Sequence, residues 1–296
     1  MIEDEFDVVF FCKEIPLFIE TEFKKYGYSV VNIEDENEFF LRIKEEDVIV
    51  LDGYDFNFEY QKTLKEKGCK LVIIDDLHNQ DFVADLIINH APSVLESDYN
   101  VQNIAEYALG TNFALLRKPF LDAARKKRKV ISINSLLICF GGSDSSNFTL
   151  TALEAGTKFT EFSCITVIVG PVYKLIDGLL EIQRTDSRVK IIKNATENEM
   201  YDFMMKADLA IVPSSGILYE VLAAGCLVIS GFFVDNQKKI YDGFNKLGAI
   251  IPANNFTNLE CQIHESFNKI NHFDNSKIID GFSNLRILDR FKSFKK

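Results

Sequence analysis

The stretch VPSSGILYEVLAAGCLVIS, residues 212–230, decides the reading of this chain. An apolar run, Leu209–Val212, ends in Pro213-Ser214-Ser215-Gly216. A helical pattern begins at once, with Glu220 about one turn inside it. Ala223-Ala224-Gly225 closes that helix, and a second apolar run follows at 227–230. A strand that hands over to a helix and returns to a strand is the repeating step of a parallel α/β sheet. The small polar residues at the handover have two readings, tight packing or room for an anionic ligand that carries hydroxyls.

The same rhythm runs through the whole chain. Apolar runs stand at 7–12, 28–33, 47–52, 70–75, 85–89, 136–140, 164–170, 189–192, 208–212, 227–230 and 249–252. They are short, rich in Val and Ile, and lack strict polar alternation, as expected of strands buried on both faces. Helical patterns separate most of them, among them PLFIETEFKKYG, FEYQKTLKEKG, FTLTALEAGTKF, TENEMYDFMMKA, NQKKIYDGFNKLG and NLECQIHESFNKI. Eleven strands exceed one small sheet, and 117–134 carries Pro119, a basic cluster and no strand. The expected layout is an α/β chain of two Rossmann-like domains, 1–120 and 135–280, with a linker at 121–134 and a C-terminal amphipathic helix at 281–296.

Composition narrows the function. The chain has 296 residues, 47% of them apolar and 26% charged, with a net charge of −11. Such acidity argues against a partner held through nucleic-acid phosphates. The one basic run, ARKKRK (Ala124–Lys129), reads as a solvated linker face, with contact to anionic lipid as the alternative. The six cysteines are widely spaced without a CxxC pair, and most lie in apolar runs, as in a reduced cytoplasmic protein. No Cys or His pair has structural-zinc spacing, so no metal or cofactor is expected. No signal peptide or run of 18 apolar residues is present, so a cytoplasmic location without stable membrane insertion is expected.

In parallel sheets of this kind ligands sit at the carboxyl ends of the strands. After 136–140 come Gly141, Gly142, Ser143 and Asp144, where glycines admit a ligand to the backbone or simply make a tight turn, with Ser or Asn capping the next helix. After 208–212 come Ser215 and Gly216 at a helix start, where free N–H groups suit a diphosphate. Glu220 could accept ribose hydroxyls there, or only match the helix dipole. Asn236 and Gln237 open the helix after 227–230 and could read sugar hydroxyls, or be an exposed helix start. In the first half Asp52, Tyr54, Asp75, Asp76 and His78 stand at strand ends. His90, His264 and His272 lack a catalytic context, and no P-loop, GxSxG or HExxH occurs.

The order GGSD, then SSGxxxEVLAAG, a strand, NQ and FNKLG resembles the nucleotide-sugar half of the GT-B superfamily. The segments LDGYDF, IIDDLHNQDFVADLIIN and YALGTNFALLRKPF are similar to the UDP-sugar hydrolases of pseudaminic acid biosynthesis, and the resemblance covers nearly the whole chain. The peptidoglycan N-acetylglucosaminyltransferases of the MurG type are more distant. The resemblance implies two domains with parallel sheets facing a cleft. It implies hydrolysis of UDP-2,4-diacetamido-2,4,6-trideoxy-β-L-altropyranose to UDP and free sugar, by water attack with inversion. It puts UDP on Gly141, Gly142, Ser143, Ser215, Gly216 and Glu220, and the sugar and diphosphate near Asn236, Gln237 and Tyr54.

Family members open with a strand, a GxGHxxR loop and a helix, and the His of that loop is the expected base. Here 7–12 aligns with the family's second strand, so the first domain is expected to lack its first βα unit. A truncated gene, a partner chain that supplies the unit, or UDP-sugar binding without hydrolysis would each account for this. Tyr54, Asp76 and His78 are the remaining catalytic candidates. A UDP-N-acetylhexosamine-dependent transferase and a non-catalytic UDP-sugar-binding protein are the competing functions.

Overall fold

All eleven apolar runs are strands in the computed structural model. It describes residues 5–142, 144–270 and 277–295, with only the backbone of Phe18. Ser143 and His272 therefore lie outside the described residues. The chain divides into two compact units. The first comprises Met1–Asn89, Leu95–Ala108 and Leu285–Lys296, and the second His90–Val94 and Leu109–Asn284.

The first unit begins with β1 (Val9–Cys12), α1 (Leu17–Lys25), β2 (Ser29–Asn32), α2 (Glu36–Arg42), β3 (Val48–Asp52), α3 (Phe58–Glu66) and β4 (Lys70–Ile74). It continues with β5 (Asp81–Phe82), β6 (Leu86–Asn89), β7 (Asn100–Val101) and β8 (Glu106–Leu109). Its sheet has the order β3-β4-β6-β8, with β3, β4 and β6 parallel. Leu71, Val72, Leu86 and Ile87 are wholly buried, which is why these strands read as unbroken apolar runs. β1 and β2 form a separate parallel pair, as do β5 and β7. The side chains of Asp35 and Asn57 cap α2 and α3 by accepting from the N–H groups of Glu38 and Tyr60, both at 3.0 Å.

The second unit runs α4 (Lys118–Lys126), β9 (Ser135–Cys139), α5 (Phe148–Thr157), β10 (Cys164–Val169), α6 (Ile176–Thr185), β11 (Val189–Lys193) and α7 (Glu197–Lys206). Then come β12 (Leu209–Pro213), α8 (Gly216–Ala223), β13 (Leu227–Gly231), α9 (Asp235–Lys246), β14 (Ile251–Pro252) and α10 (Leu259–Lys269). The sheet order is β11-β10-β9-β12-β13-β14, parallel throughout. Strands are added outward from β9 in one direction, then from β12 in the other. The neighbouring carboxyl ends of β9 and β12 therefore form the topological switch point of a doubly wound sheet.

Residues 121–134 fall within this second unit. α4 buries Phe120, Leu121, Ala123 and Ala124, and the Phe120 ring meets Tyr201 edge-on at 5.7 Å. Beyond α4 the chain is pinned at the amino ends of β9 and β12 by Asp208. Asp208 accepts from the N–H groups of Asn134 and Ser135, from the Ser135 hydroxyl at 2.8 Å and from the Arg128 guanidinium at 3.0 Å. Asp208→Ala leaves a partly buried guanidinium and three other donors without their acceptor. It is expected to lower unfolding free energy by about 3 kcal/mol, measured by chemical denaturation.

The last helix, α11 (Ser283–Lys292), joins the first unit from Leu285 onward. Phe291 meets Phe6 edge-on at 6.2 Å, and Arg290 pairs with Glu106 at 2.8 Å. Hydrogen bonds from Lys295 and Lys292 hold the Glu5 carboxyl down to about 2.

Candidate functional site

Three loops of the second unit leave adjacent strands β9, β12 and β13 at their carboxyl ends. They carry Gly141 and Gly142, Ser215 and Gly216, and Asn236 and Gln237. Parallel order makes these loops neighbours.

The first loop is open. Gly141 has φ +82°, and a Cβ on Gly141 or Gly142 would meet nothing within 4 Å. Both glycines are exposed. Beneath them lies Gly170, at the end of β10, which sequence reasoning passed over. A Cβ there would come within 2.6 Å of the Gly142 Cα and 2.7 Å of its carbonyl oxygen. Both contacts are with backbone, so the loop would have to shift. Gly170→Val is expected to cost about 1–3 kcal/mol of stability, read from the thermal midpoint.

Ser and Asn were the expected caps for α5, but Asp144 does the work. Its carboxylate accepts from the N–H groups of Phe148 (3.0 Å) and Thr149 (2.7 Å) and from the Thr149 hydroxyl (2.6 Å). Asp144 sits at φ 33°, a left-handed conformation that Asp tolerates better than most residues. Asn147, at the formal cap position, makes no side-chain cap and accepts instead from the Tyr173 hydroxyl at 2.5 Å.

The second loop separates the two serines. Ser214 is wholly buried, and its hydroxyl lies 2.9 Å from that of Ser230, so it ties β12 to β13. Ser215 occupies the cap position of α8 but makes no side-chain cap bond. A Cβ on Gly216 would meet nothing within 4 Å, and that residue is exposed. The helix start thus presents N–H groups, a hydroxyl and open space, the elements an anion needs.

Glu220, on the same helix, is tied to a residue that the sequence did not single out. Arg117 Nε donates to Glu220 Oε1 at 2.8 Å, and Nη2 lies 2.7 Å from the same oxygen. Oε2 has no hydrogen-bond partner among the described residues. Burial pushes the Glu220 carboxyl above its ordinary value, and Arg117 offsets part of that. An acceptor oxygen beside a guanidinium suits a ligand with hydroxyls next to phosphate.

The third loop is more closed than expected. Gln237 is buried in the first turn of α9, and its Oε1 accepts from the Phe233 N–H at 3.2 Å. Asn236 lies in the same turn.

The first unit gathers Tyr54, Asp76 and His78 at the carboxyl ends of β3 and β4. The Tyr54 hydroxyl donates to Asp76 Oδ2 at 2.8 Å, while Asp76 Oδ1 is buried with no hydrogen-bond partner among the described residues. Burial pushes the Asp76 carboxyl up, Tyr54 pulls it partly back, and Asp75 and Asp52 push it further up. Burial also raises Asp52. Asp75 turns inward, accepting from the His78 N–H at 2.9 Å and the Tyr99 hydroxyl at 3.0 Å. Tyr99 in turn accepts from the Asn89 amide at 2.8 Å. This chain of bonds fixes the loop that carries Asp76 and His78, whose φ is 41°.

Two further histidines, His90 and His264, make contacts within the second unit. His90 stacks on Tyr219 at 4.4 Å, its Nδ1 accepts from the Leu115 N–H at 3.3 Å, and burial pulls it down to about 4. His264 pairs with Asn268 on α10. No group of His, Cys, Asp or Glu among the described residues is placed to hold a metal ion, and no helix there is long and apolar enough to cross a membrane.

No protein-family model matches the chain. An uncharacterised protein of Methanocaldococcus jannaschii is 26% identical over 256 residues, which is 81% of this chain and 51% of the relative. The spore coat polysaccharide biosynthesis protein SpsG of Bacillus subtilis is 24% identical over 225 residues, 73% of this chain and 65% of SpsG. The chain thus spans between about half and two thirds of these relatives. Among solved structures, MurG of Acinetobacter baumannii superposes with a TM-score of 0.65 at 12% identity, covering 98% of this chain and 92% of MurG. S. aureus MnaA, solved with UDP, superposes with a TM-score of 0.57 at 12% identity, covering 95% of this chain and 87% of MnaA. The chain therefore has the α/β fold of the GT-B glycosyltransferases, with a homologue in polysaccharide biosynthesis.

Proposed function

We propose that this protein is a UDP-sugar hydrolase that cleaves the anomeric C–O bond of a UDP-diacetamido-trideoxyhexose, releasing UDP and the free sugar. The observation that carries the reading is the switch point of the second unit. An open glycine loop, an uncapped helix start and a partly buried carboxylate on that helix stand there together. In this reading the backbone of Gly141 and Gly142 and the start of α8 at Ser215 and Gly216 take the diphosphate. Glu220 accepts from the ribose hydroxyls. Asn236 and Gln237 lie toward the sugar and diphosphate. MnaA, of the same fold, has been solved with UDP, which supports the nucleotide assignment.

The chemistry follows from where charge develops. As the C–O bond breaks, negative charge grows on the departing UDP, and N–H donors at a helix start stabilise it. The attacking water must lose a proton. The proposed acceptor is Asp76, with Tyr54 as relay: the Tyr54 hydroxyl hands its proton to Asp76 and takes one from the water. Tyr54 is 65% exposed, so its hydroxyl meets solvent while bonded to the partly buried Asp76 carboxylate. A carboxyl raised above its ordinary value is a better base near neutral pH than a solvated one.

Similarity to MurG keeps a UDP-N-acetylhexosamine transferase as the second reading. Incubation with UDP-2,4-diacetamido-2,4,6-trideoxy-β-L-altropyranose separates the two. The hydrolase releases UDP with no acceptor present. UDP formation only when an acceptor is added establishes the transferase, and UDP binding with no turnover establishes a non-catalytic binder.

A further inference from the structure

The basic run of the second unit is a built surface at the end of the sheet opposite the nucleotide loops. Arg128 is anchored inward by the Ala207 carbonyl at 2.6 Å and by Asp208, and Val130 and Ile133 are core residues. Gly225 locks the same segment, since a Cβ there would come within 2.6 Å of the Arg128 carbonyl oxygen. With Arg128 and Val130 held in, Lys127, Lys129 and Ile131 are all turned out. Ile131 is 85% exposed. Lys127 and Lys129 form no ion pair among the described residues. On α4 the Arg125 guanidinium is paired with Asp122 at 2.9 Å and lies 5.0 Å over the ring of Phe282, itself 44% exposed.

Cations interleaved with exposed apolar side chains match an interface that is negative outside and apolar beneath. We propose that this face docks the protein on an anionic lipid bilayer, with Lys127 and Lys129 among the headgroups and Ile131 inserted below them. Against a net charge of −11 for the whole chain the local positive surface stands out, and that acidity disfavours a nucleic-acid occupant, for which an exposed isoleucine has no use. The patch lies at the amino ends of β9 and β12. A docked molecule therefore keeps the loops at the carboxyl ends of those strands open to soluble nucleotide.

The test is sedimentation of the full chain with vesicles of phosphatidylcholine alone or mixed with phosphatidylglycerol. Binding to the mixed vesicles, weakened by salt, is expected. Lys127→Ala with Lys129→Ala should weaken it about 30-fold and Ile131→Ser about tenfold. UDP affinity, measured on the same variants, should not change and so reports intact folding. Equal binding to both vesicle types, or none to either, overturns the proposal. So does binding that these variants leave untouched. Retention on heparin that Ile131→Ser does not affect would assign the face to a soluble polyanion instead.

Discussion

Asp76→Asn slows UDP release from the UDP-diacetamido-trideoxyhexose by about 10²–10⁴-fold, the usual contribution of a positioned base, while UDP binds as before. Asparagine keeps the size of the side chain and can still accept from the Tyr54 hydroxyl, but it takes no proton. Rate is thus separated from shape. The pH profile provides the sharper readout. The acceptor works only when ionised, so the wild-type rate falls as pH drops through the Asp76 value. Burial and the nearby Asp75 and Asp52 place that value above the ordinary Asp range. The acid limb should vanish in Asp76→Asn. Tyr54→Phe, which removes the relay hydroxyl, should share the rate loss. A variant with full activity and an unchanged acid limb would move the base elsewhere, with His78 next in line.

Glu220→Ala weakens UDP by about 10–100-fold, as expected for the loss of charge-assisted hydrogen bonds to ribose. Deoxyuridine diphosphate, which lacks one ribose hydroxyl, should lose part of this affinity on the wild type and little more on the variant. Stability carries an independent signature. The folded-state value of Glu220 is raised, chiefly by burial. A raised carboxyl contributes stability that is fully present below its unfolded value and is lost as pH rises through its folded value. Glu220→Gln should therefore flatten the fall in stability across that window. Unchanged UDP affinity in Glu220→Ala would remove this residue from the site.

The strands were legible because burial on both faces forces continuous apolar runs, and every such run became a strand. β5, β7 and β8 were not. Two are only two residues long, and β8 reads Glu-Tyr-Ala-Leu, which has no such run. The strand-end glycines were legible for the same reason as the strands, since they follow the runs directly. Arg117 was hidden because its partner Glu220 lies 103 residues away, and no local pattern links them. Gly170 looked like the last residue of an apolar run, and only the fold brings it under Gly142. Asp144 rather than Ser or Asn caps α5, because a left-handed turn brings its carboxylate back over the helix start. The sequence likewise could not distinguish Ser214 from Ser215. The structure buries one against Ser230 and leaves the other at the helix start.

Calorimetric titration of the full chain with UDP, UMP and uridine tests the central claim most directly. A diphosphate at the start of α8 predicts a single site that binds UDP clearly more tightly than UMP, with uridine weakest, and an affinity for UDP that Glu220→Ala reduces. No binding of UDP, or equal affinity for UDP and uridine, would contradict a nucleotide diphosphate site at the switch point.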